Sequence, residues 1–322
     1  MPHSKNIHKG KIMNAIAGIL LFFLFCFLPH ISTAQSQDQE FHGLVKHFKH
    51  LTKATKWTLL DTVKLKFQTY HTQGLLMVGD YFYLSAVETI EAPEKYSSPI
   101  DGNDRSPGKG IGYLFKFDKN GSLVSKTQLG EATIYHPGGI DFDGQNIWVP
   151  VAEYRPNSQS IIYKINPENL SVKEMFRFKD HIGGLSYNIK DQTLHGINWG
   201  SKRMYTWKAN DQTINPEQTK IKLKSSYYID YQDCHYVPNH FMLCGGVNKY
   251  KVGDMGEIAL GGLELINLRN YTTVHQIPVP LWVKPNLVMT NNPFFFKIRE
   301  ASINFYFIPE DDNSTLYIYQ AK

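Results

Sequence analysis

Apolar and polar residues alternate in short segments along most of this chain, and turn residues separate the segments. One segment is Gly139-Ile-Asp-Phe-Asp-Gly144, the next is Asn146-Ile-Trp-Val-Pro-Val151, and a third is Ile161-Ile-Tyr-Lys-Ile165. Alternation between clusters of Gly, Pro and Asn predicts β-strands that pair as antiparallel meanders. The same succession of strands recurs farther along the chain, so the pattern indicates an all-β protein.

A fixed interval of seventeen residues occurs five times among these segments. The paired positions are His71 and Glu88, His136 and Glu153, His181 and Asn198, Tyr231 and Asn248, and Pro293 and Glu310. A glycine follows each of the three histidines by three residues. An internal repeat of this kind is typical of folds in which similar units are arranged around an axis.

Four-stranded sheets arranged around an axis protect their own edges, so the sequence predicts a five-bladed β-propeller over residues 57–322. The last repeat has chain for only three strands, and the segment 58–65 has no partner before the first repeat. We expect this segment to complete the fifth blade and close the ring. The alternative is a six-bladed ring in which the insert 89–110 hides a blade; because that insert is rich in Pro, Gly, Ser and charge, a loop is favoured.

The first 34 residues have the three parts of an export signal. Lys5, Lys9 and Lys11 precede an apolar run at 15–28, and small residues follow at 32–34. We expect cleavage after Ala34, export to the periplasm or the extracellular space, and no transmembrane span afterwards. The alternative is an uncleaved anchor.

Cleavage would lower the formal net charge from +5 to +2, because the signal contains three lysines and no acidic residue. A nearly neutral chain gives no indication of nucleic-acid binding. In the segment 35–56, apolar residues from Phe41 to Leu51 recur at helical spacing, which predicts a short amphipathic helix ahead of the propeller.

Three histidines at the start of successive innermost strands point to an axial site. The first and last members of each interval should lie on the same face of a propeller, with His71, His136 and His181 closest to the axis. Three imidazoles leave one position of a tetrahedral metal open for water, so zinc or another divalent metal would suit them. Glu153 and Glu88 are then the candidate general bases. The alternative is an ordinary polar plug of the channel.

Carboxylates and amides form a second ring on the same face, and such oxygen ligands suit calcium as the alternative metal. These residues are Glu88, Glu153, Glu310, Asn198, Asn248 and Asp230. In the fourth repeat, Tyr231 stands where the histidine stood, so Asp233 or His235 could supply the missing ligand.

Two cysteines flank the turn at 238–240 symmetrically. Cys234 and Cys244 would therefore face each other across a hairpin, and an exported protein would oxidise them to a disulfide. A reduced pair that takes part in metal binding is the alternative.

Cations and aromatic residues accompany the second ring. Arg155 and Arg203, with Asn198, Asn248 and Glu310, are the candidate substrate-binding residues. Tyr154, Trp199, Tyr250 and Trp282 could form a platform for a sugar or another ring; packing between blades is the alternative.

Two families share parts of this pattern. The segment His71-Thr-Gln-Gly-Leu75, followed by Gly79-Asp-Tyr-Phe-Tyr83, resembles the opening blade of the plant and bacterial type glutaminyl cyclotransferases, which are five-bladed secreted propellers. That family continues with a glutamate where this chain has Leu84, so the resemblance implies the fold and not the cyclisation chemistry.

A closer resemblance extends over nearly the whole mature chain, to a family of uncharacterised secreted β-propeller proteins. It rests on the motifs His71-Thr-Gln-Gly74, His136-Pro-Gly-Gly-Ile-Asp141, Asp180-His-Ile-Gly-Gly184 and Tyr231-Gln-Asp-Cys234. This resemblance implies the fold and no particular reaction.

Two functions from different classes fit the sequence. The first is a metal-dependent hydrolase or lyase with the three-histidine centre. The second is a noncatalytic propeller that binds a small molecule, a glycan, a peptide or a cell-surface partner through its loop-rich face.

Overall fold

A computed structural model of the protein describes residue 1 and residues 43–209, 214–299 and 302–322. The export signal predicted for residues 1–34 therefore lies, apart from Met1, outside the described residues. Five antiparallel sheets form a ring, which confirms the five-bladed β-propeller. Residues 43–50 are helical and precede the first strand, as the apolar spacing predicts.

The strands are numbered in chain order. β1 (Trp57–Lys64) belongs to the fifth blade. Blade 1 contains β2 (His71–Val78), β3 (Tyr81–Glu91), β6 (Lys109–Asp118) and β7 (Leu123–Leu129), and the hairpin of β4 (Lys95–Ile100) and β5 (Asn103–Arg105) projects from it. Blade 2 contains β8 (Ile134–Pro137), β9 (Asp141–Phe142), β10 (Ile147–Glu153), β11 (Ser160–Ile165) and β12 (Val172–Phe178).

Blade 3 contains β13 (Ile182–Asn188), β14 (Thr193–Asn198), β15 (Arg203–Lys208) and β16 (Lys220–Leu223). Blade 4 contains β17 (Asp230–Val237), β18 (Phe241–Lys251), β19 (Glu257–Asn267) and β20 (Thr272–Pro278). A small hairpin of β21 (Trp282–Lys284) and β22 (Leu287–Val288) follows, and blade 5 contains β23 (Phe294–Arg299), β24 (Ser302–Phe307) and β25 (Thr315–Ala321). Short 3-10 helices lie at Trp199–Ser201, Pro216–Gln218, Gly253–Met255 and Met289–Asn291.

The two ends of the propeller meet in one sheet. The segment predicted at 58–65 is found as β1, which pairs antiparallel with β25 from Trp57 opposite Ala321 to Lys64 opposite Thr315. Beyond this ladder, Lys56 and Lys322 exchange two backbone hydrogen bonds of 3.2 Å. Blade 5 therefore takes its outermost strand from one end of the propeller and its other three from the opposite end.

The insert 89–110 forms β-structure where the sequence favoured a loop. β3 and β6 remain paired as far as Glu91 and Lys109, and β4 and β5 form a separate two-stranded hairpin. Within this ladder, Gly110 lies directly against the Tyr135 ring, where a side chain would not fit. The insert extends blade 1 and adds no sixth blade.

Glycines that follow the histidines allow the innermost strands to approach one another. A Cβ at Gly74 would lie 2.7 Å from the Ile140 nitrogen, and one at Gly138 would collide with the Gly183 carbonyl. Gly139 donates its N–H to the Gly183 carbonyl at 2.9 Å, which joins blades 2 and 3 directly. The repeated glycine is thus a packing requirement at Gly74 and at Gly139, where a Cβ would lie 2.6 Å from Asp233 Oδ1, but not at Gly184, where the nearest atom is 3.8 Å away.

Cys234 and Cys244 form a disulfide across β17 and β18, as predicted. The two residues are directly opposite each other in the ladder and fully buried. The three-residue turn between the strands contains Asn239 and His240, both at a φ of 68°.

The helix at 43–50 covers the side of blades 4 and 5. Leu44 and Phe48 are fully buried in the same apolar cluster as Leu263 and Phe305. Among the residues that the structure describes, no helix is long and apolar enough to cross a membrane.

Candidate functional site

Three imidazoles lie side by side at the axial mouth of the propeller. His71 is the first residue of β2, His136 lies in β8, and His181 directly precedes β13. The ring centroids of His71 and His136 are 5.9 Å apart, and those of His136 and His181 are 5.8 Å apart. The seventeen-residue interval brings these side chains together because each innermost strand begins on the same face. We call the three residues the histidine row.

The outer members of the histidine row are held in fixed orientations. His71 Nδ1 lies 3.0 Å from Asp311 Oδ1, and its Nε2 accepts a hydrogen bond of 2.7 Å from the Gln73 amide. Asp311 is fixed in turn by Asn292 Nδ2 at 2.9 Å. His181 Nδ1 donates to the main-chain carbonyl of Glu153 at 2.8 Å.

The central member, His136, has no hydrogen-bond partner at either ring nitrogen, although the residue is only 5% exposed. Burial lowers the pKa of His136 well below its usual value, and the neighbouring His181 and His71 lower it further. Burial also lowers the pKa of His181 to about 4, despite its bond to the Glu153 carbonyl. Both imidazoles are therefore neutral at pH 7 and can donate one hydrogen bond and accept another.

Aromatic rings form a wall over the histidine row. Tyr154 stacks on His136 with centroids 4.1 Å apart, and Trp199 meets His181 edge-on at 4.8 Å. The two rings lie 5.8 Å from each other. Arg105, from the hairpin β4–β5, places its guanidinium 5.1 Å from the Trp199 ring centroid. The insert of blade 1 thus reaches across the mouth to blade 3.

The carboxylates of the two predicted general bases are both hydrogen-bonded to side chains outside the histidine row. Glu153 is 3% exposed and accepts from Arg155 Nε at 2.6 Å and from Thr133 Oγ1 at 2.7 Å. Burial raises the pKa of Glu153, but its bonds to Arg155 and Thr133 outweigh that effect and lower it. Glu88 accepts from Tyr113 OH at 3.1 Å. Glu153 reaches the row only through its main-chain carbonyl.

The predicted substrate-binding residues are mostly engaged in local contacts. Asn198 donates to Asp180 at 3.2 Å and accepts from the Arg203 main chain, and Arg203 donates to Asn157 at 2.6 Å. Asn248 donates to the Tyr227 carbonyl at 3.1 Å. Each of these contacts lies within one blade or between adjacent blades. The structure therefore does not bring the residues of the second ring together at one point.

Asn198 lines a cavity of only about 10 Å³. Glu310 lines a larger one, of about 360 Å³, beside the mouth. Asp311, the partner of His71, lines the same cavity. The hairpin β21–β22 forms the opposite wall.

A buried charge cluster fills the channel below the mouth. Asp233 and His235 belong to blade 4 and Asp141 belongs to blade 2, and the His235 nitrogens lie 3.4 Å from Asp233 Oδ2 and 3.8 Å from Asp141 Oδ1. Burial alone lowers the pKa of His235, but the two carboxylates outweigh it and raise the pKa to about 10. We call these three residues the channel triad.

The channel triad joins all five blades. Asp233 accepts from the Leu75 N–H of blade 1, and Asp141 accepts from the N–H groups of Tyr187 in blade 3 and Tyr236 in blade 4. His235 donates to the Phe294 carbonyl of blade 5 at 2.7 Å. The sequence suggested Asp233 or His235 as a replacement metal ligand; the structure gives them this connecting role.

Within the described part of the chain, no group of three His, Cys, Asp or Glu side chains is arranged to hold a metal ion. The histidine row has the right residue types, but one nitrogen of His71 already contacts Gln73 and one nitrogen of His181 already bonds to the Glu153 carbonyl.

Several residues of the mouth were not among the predicted site residues. Asp311 follows Glu310 directly, Gln73 lies within the first motif, and Arg105 lies in the insert. The only signal in the sequence was their proximity to the repeat or to a long connection on the same face.

Two solved structures are similar to the chain, each with a TM-score below 0.5. A luciferin-regenerating enzyme matches with a TM-score of 0.47 and 11% identity, covering 81% of this chain and 95% of that one. The WD40 domain of Toxoplasma gondii coronin matches with a TM-score of 0.36 and 8% identity, covering 84% of this chain and 87% of that domain. Similarity of this degree carries no information on activity.

No curated protein matches the sequence. A family model does match, over residues 28–322, and it includes all of the described propeller. The chain therefore belongs to DUF6454, a family of unknown function.

Proposed function

We propose that the protein is a ligand-binding propeller that takes a small polar ligand, or a polar group of a glycan or peptide, at its axial mouth. One observation carries the proposal: His136 is buried with two unpartnered nitrogens. Leaving a buried polar group without a hydrogen bond costs about 1–3 kcal/mol. A ligand hydroxyl or amide would remove this cost, and Tyr154 and Trp199 would contact the apolar part of the same ligand.

The experiment is a thermal-shift screen of mono- and disaccharides and short peptides on three proteins. These are the wild type, His136→Phe, and the control His240→Phe, which changes a buried histidine at the turn between β17 and β18. A ligand at 100 times its Kd should stabilise the wild type and the control by about 2.7 kcal/mol and leave His136→Phe unchanged. Equal stabilisation of all three proteins, or none of the wild type, would contradict the proposal.

A metal-dependent hydrolase or lyase is the second candidate. Its specific support is the orientation of His71 and His181, whose Nδ1 atoms meet the Asp311 carboxylate and the Glu153 carbonyl. Metal-binding histidines are commonly fixed by such partners. Binding would require the rings to turn toward a common point and Gln73 to release His71. Zinc would make a bound water acidic near neutral pH; Glu153 would first have to leave Arg155 to act as a base.

Elemental mass spectrometry of residues 35–322, purified without an affinity tag, tests this candidate. Near-stoichiometric zinc or another transition metal in the wild type, absent from His136→Ala, would support it. The same spectrum reports calcium, the alternative metal. A folded wild type without stoichiometric metal would exclude the metal-dependent enzyme and leave ligand binding as the remaining candidate function.

A further inference from the structure

The cavity beside the mouth lies between the hairpin β21–β22 and the segment that follows β24. Its volume of about 360 Å³ falls in the usual range of small-molecule sites. The lining residues are Val283, Lys284, Leu287, Asn291, Pro309, Glu310, Asp311 and Asn313. The His71–Asp311 contact connects this cavity to the histidine row.

The carboxylates of the cavity are held firmly. Glu310 accepts from the Thr315 N–H at 2.9 Å and from Tyr317 OH at 3.3 Å. Asp311 accepts from His71 and Asn292. Each carboxylate has about four lone-pair sites, so both retain acceptor capacity toward the cavity. A rigid pair of acceptors selects for a ligand that presents neighbouring donors.

The charges and the apolar surface of the cavity lining restrict the class of ligand that would fit. Glu310 and Asp311 outnumber the single cation Lys284 in the lining, which disfavours an anionic ligand. Among the described residues, the Lys284 ammonium and the Asn313 amide have no side-chain partner, so both are available to ligand oxygens. Val283, Leu287 and Pro309 offer an apolar surface beside these polar groups.

We propose that this cavity binds an uncharged saccharide. Sugar hydroxyls would donate to Glu310 and Asp311 and accept from Lys284 and Asn313, while the apolar face of the sugar ring would lie against Val283 and Leu287. The inference rests on the proposed function, because it names the ligand class of the mouth, and His71 lies between this subsite and His136. An anionic sugar or a peptide would meet the two carboxylates less favourably.

The test is saturation-transfer NMR and calorimetry with cellobiose, maltose and N,N′-diacetylchitobiose, with digalacturonic acid as the anionic comparison. The proteins are the wild type, Asn313→Ala, Lys284→Ala, and the matched control Lys222→Ala on the exposed outer strand β16. Asn313 and Lys284 are exposed, so neither substitution should disturb the fold.

At least one neutral disaccharide should bind the wild type, and each cavity variant should bind it about fivefold more weakly, the loss expected for one hydrogen bond. The control should match the wild type. Failure of every neutral disaccharide to bind at millimolar concentration would overturn the inference. So would tighter binding of digalacturonic acid, or affinity that is equal in the wild type and both cavity variants.

His136→Phe separates this inference from the proposed function. Sugar binding that survives His136→Phe but weakens in the cavity variants would uphold the saccharide subsite and contradict the role of His136. Sugar binding that is lost in His136→Phe and unchanged in the cavity variants would support the role of His136 and contradict the saccharide subsite.

Discussion

Individual buried polar residues serve two different purposes near the axis. In the channel triad, each side chain contacts a backbone group of another blade, and its charges compensate one another. In the histidine row, His136 has no such partner. Within the channel triad only His235 Nδ1 lacks a hydrogen bond, and it lies 3.8 Å from the Asp141 carboxylate. Such a charge-compensated network stabilises one arrangement of the blades, whereas a group without any partner is where a ligand gains binding energy. The two clusters therefore respond differently to substitution.

Asp233→Asn should strongly destabilise the propeller. It removes the charge that compensates His235 and weakens the acceptor of the Leu75 and Cys234 N–H groups. Breaking a buried ion pair on one side costs about 3–5 kcal/mol. Urea unfolding measures the change, and the exposed Asp80→Asn serves as the control. A loss below about 1 kcal/mol would show that the channel triad does not hold the blades together.

His195 should make stability depend on pH. Burial lowers its pKa to about 4, while its usual value is 6.5. As pH falls through this window, the unfolded chain takes up the proton first, so stability present above pH 6.5 is lost toward pH 4, by up to about 3 kcal/mol. His195→Gln lacks the imidazole and therefore lacks this contribution to the pH dependence of stability.

The stability advantage of the wild type over His195→Gln should therefore shrink between pH 7 and pH 4, as measured by urea unfolding at each pH. The exposed His50→Gln is the control. A difference for His195→Gln that stays constant would mean that His195 takes up its proton over the same pH range in the folded and the unfolded protein.

Among the strands, most could be predicted from the sequence. Each blade packs its two faces against neighbouring blades, and the alternation of apolar and polar residues along a strand reflects that burial. It also placed the histidine row, because His71, His136 and His181 occupy equivalent positions of equivalent strands. The hairpin β4–β5 was missed, since Pro, Gly and charged residues dominate its segment. Alternation gives no information on where a paired strand stops once it leaves the core.

Strand β1 should be essential for the stability of the fold, while the hairpin β4–β5 should contribute little to that stability. Deleting residues 57–64 exposes the edge of β25 and removes Trp57 from its contact with Phe305, whose ring centroid is 5.4 Å away. We expect this variant to lose its cooperative thermal transition. Replacing residues 95–105 by two glycines should leave the melting temperature nearly unchanged, because most of this hairpin is exposed. A β1-deleted protein that melts like the wild type, by circular dichroism, would refute this assignment.

At the scale of the whole molecule, the site could be predicted only in part. The strand repeat locates the mouth, but Asp311, Arg105 and Gln73 reach it through loop geometry and side-chain orientation. The channel triad was missed because its contacts join blades distant in sequence, such as Leu75 with Asp233. Alternation within a blade does not encode which residues meet across the axis.

The position of the chain ends should control how fast the ring opens. In two permutants of residues 56–322, Lys322 is joined to Lys56 by the same short glycine linker, which is feasible because these residues already exchange hydrogen bonds. One permutant opens between Glu131 and Ala132, so that packing between blades 1 and 2 and the single bridge between Glu131 and Ile134 close the ring. The other opens between Gly144 and Gln145, so that the ladders of β8 and β9 with β10 close it.

The first permutant should unfold at least about tenfold faster, which corresponds to about 1.4 kcal/mol of barrier. The ladders of β8 and β9 with β10 must break before the second ring can open, whereas only the Glu131–Ile134 bridge spans the break of the first. Unfolding rates in urea, followed by tryptophan fluorescence and extrapolated to water, give the comparison. Equal rates would mean that contacts between blades and the channel triad hold the ring closed, and that the strand shared between the two ends of the chain adds no kinetic stability.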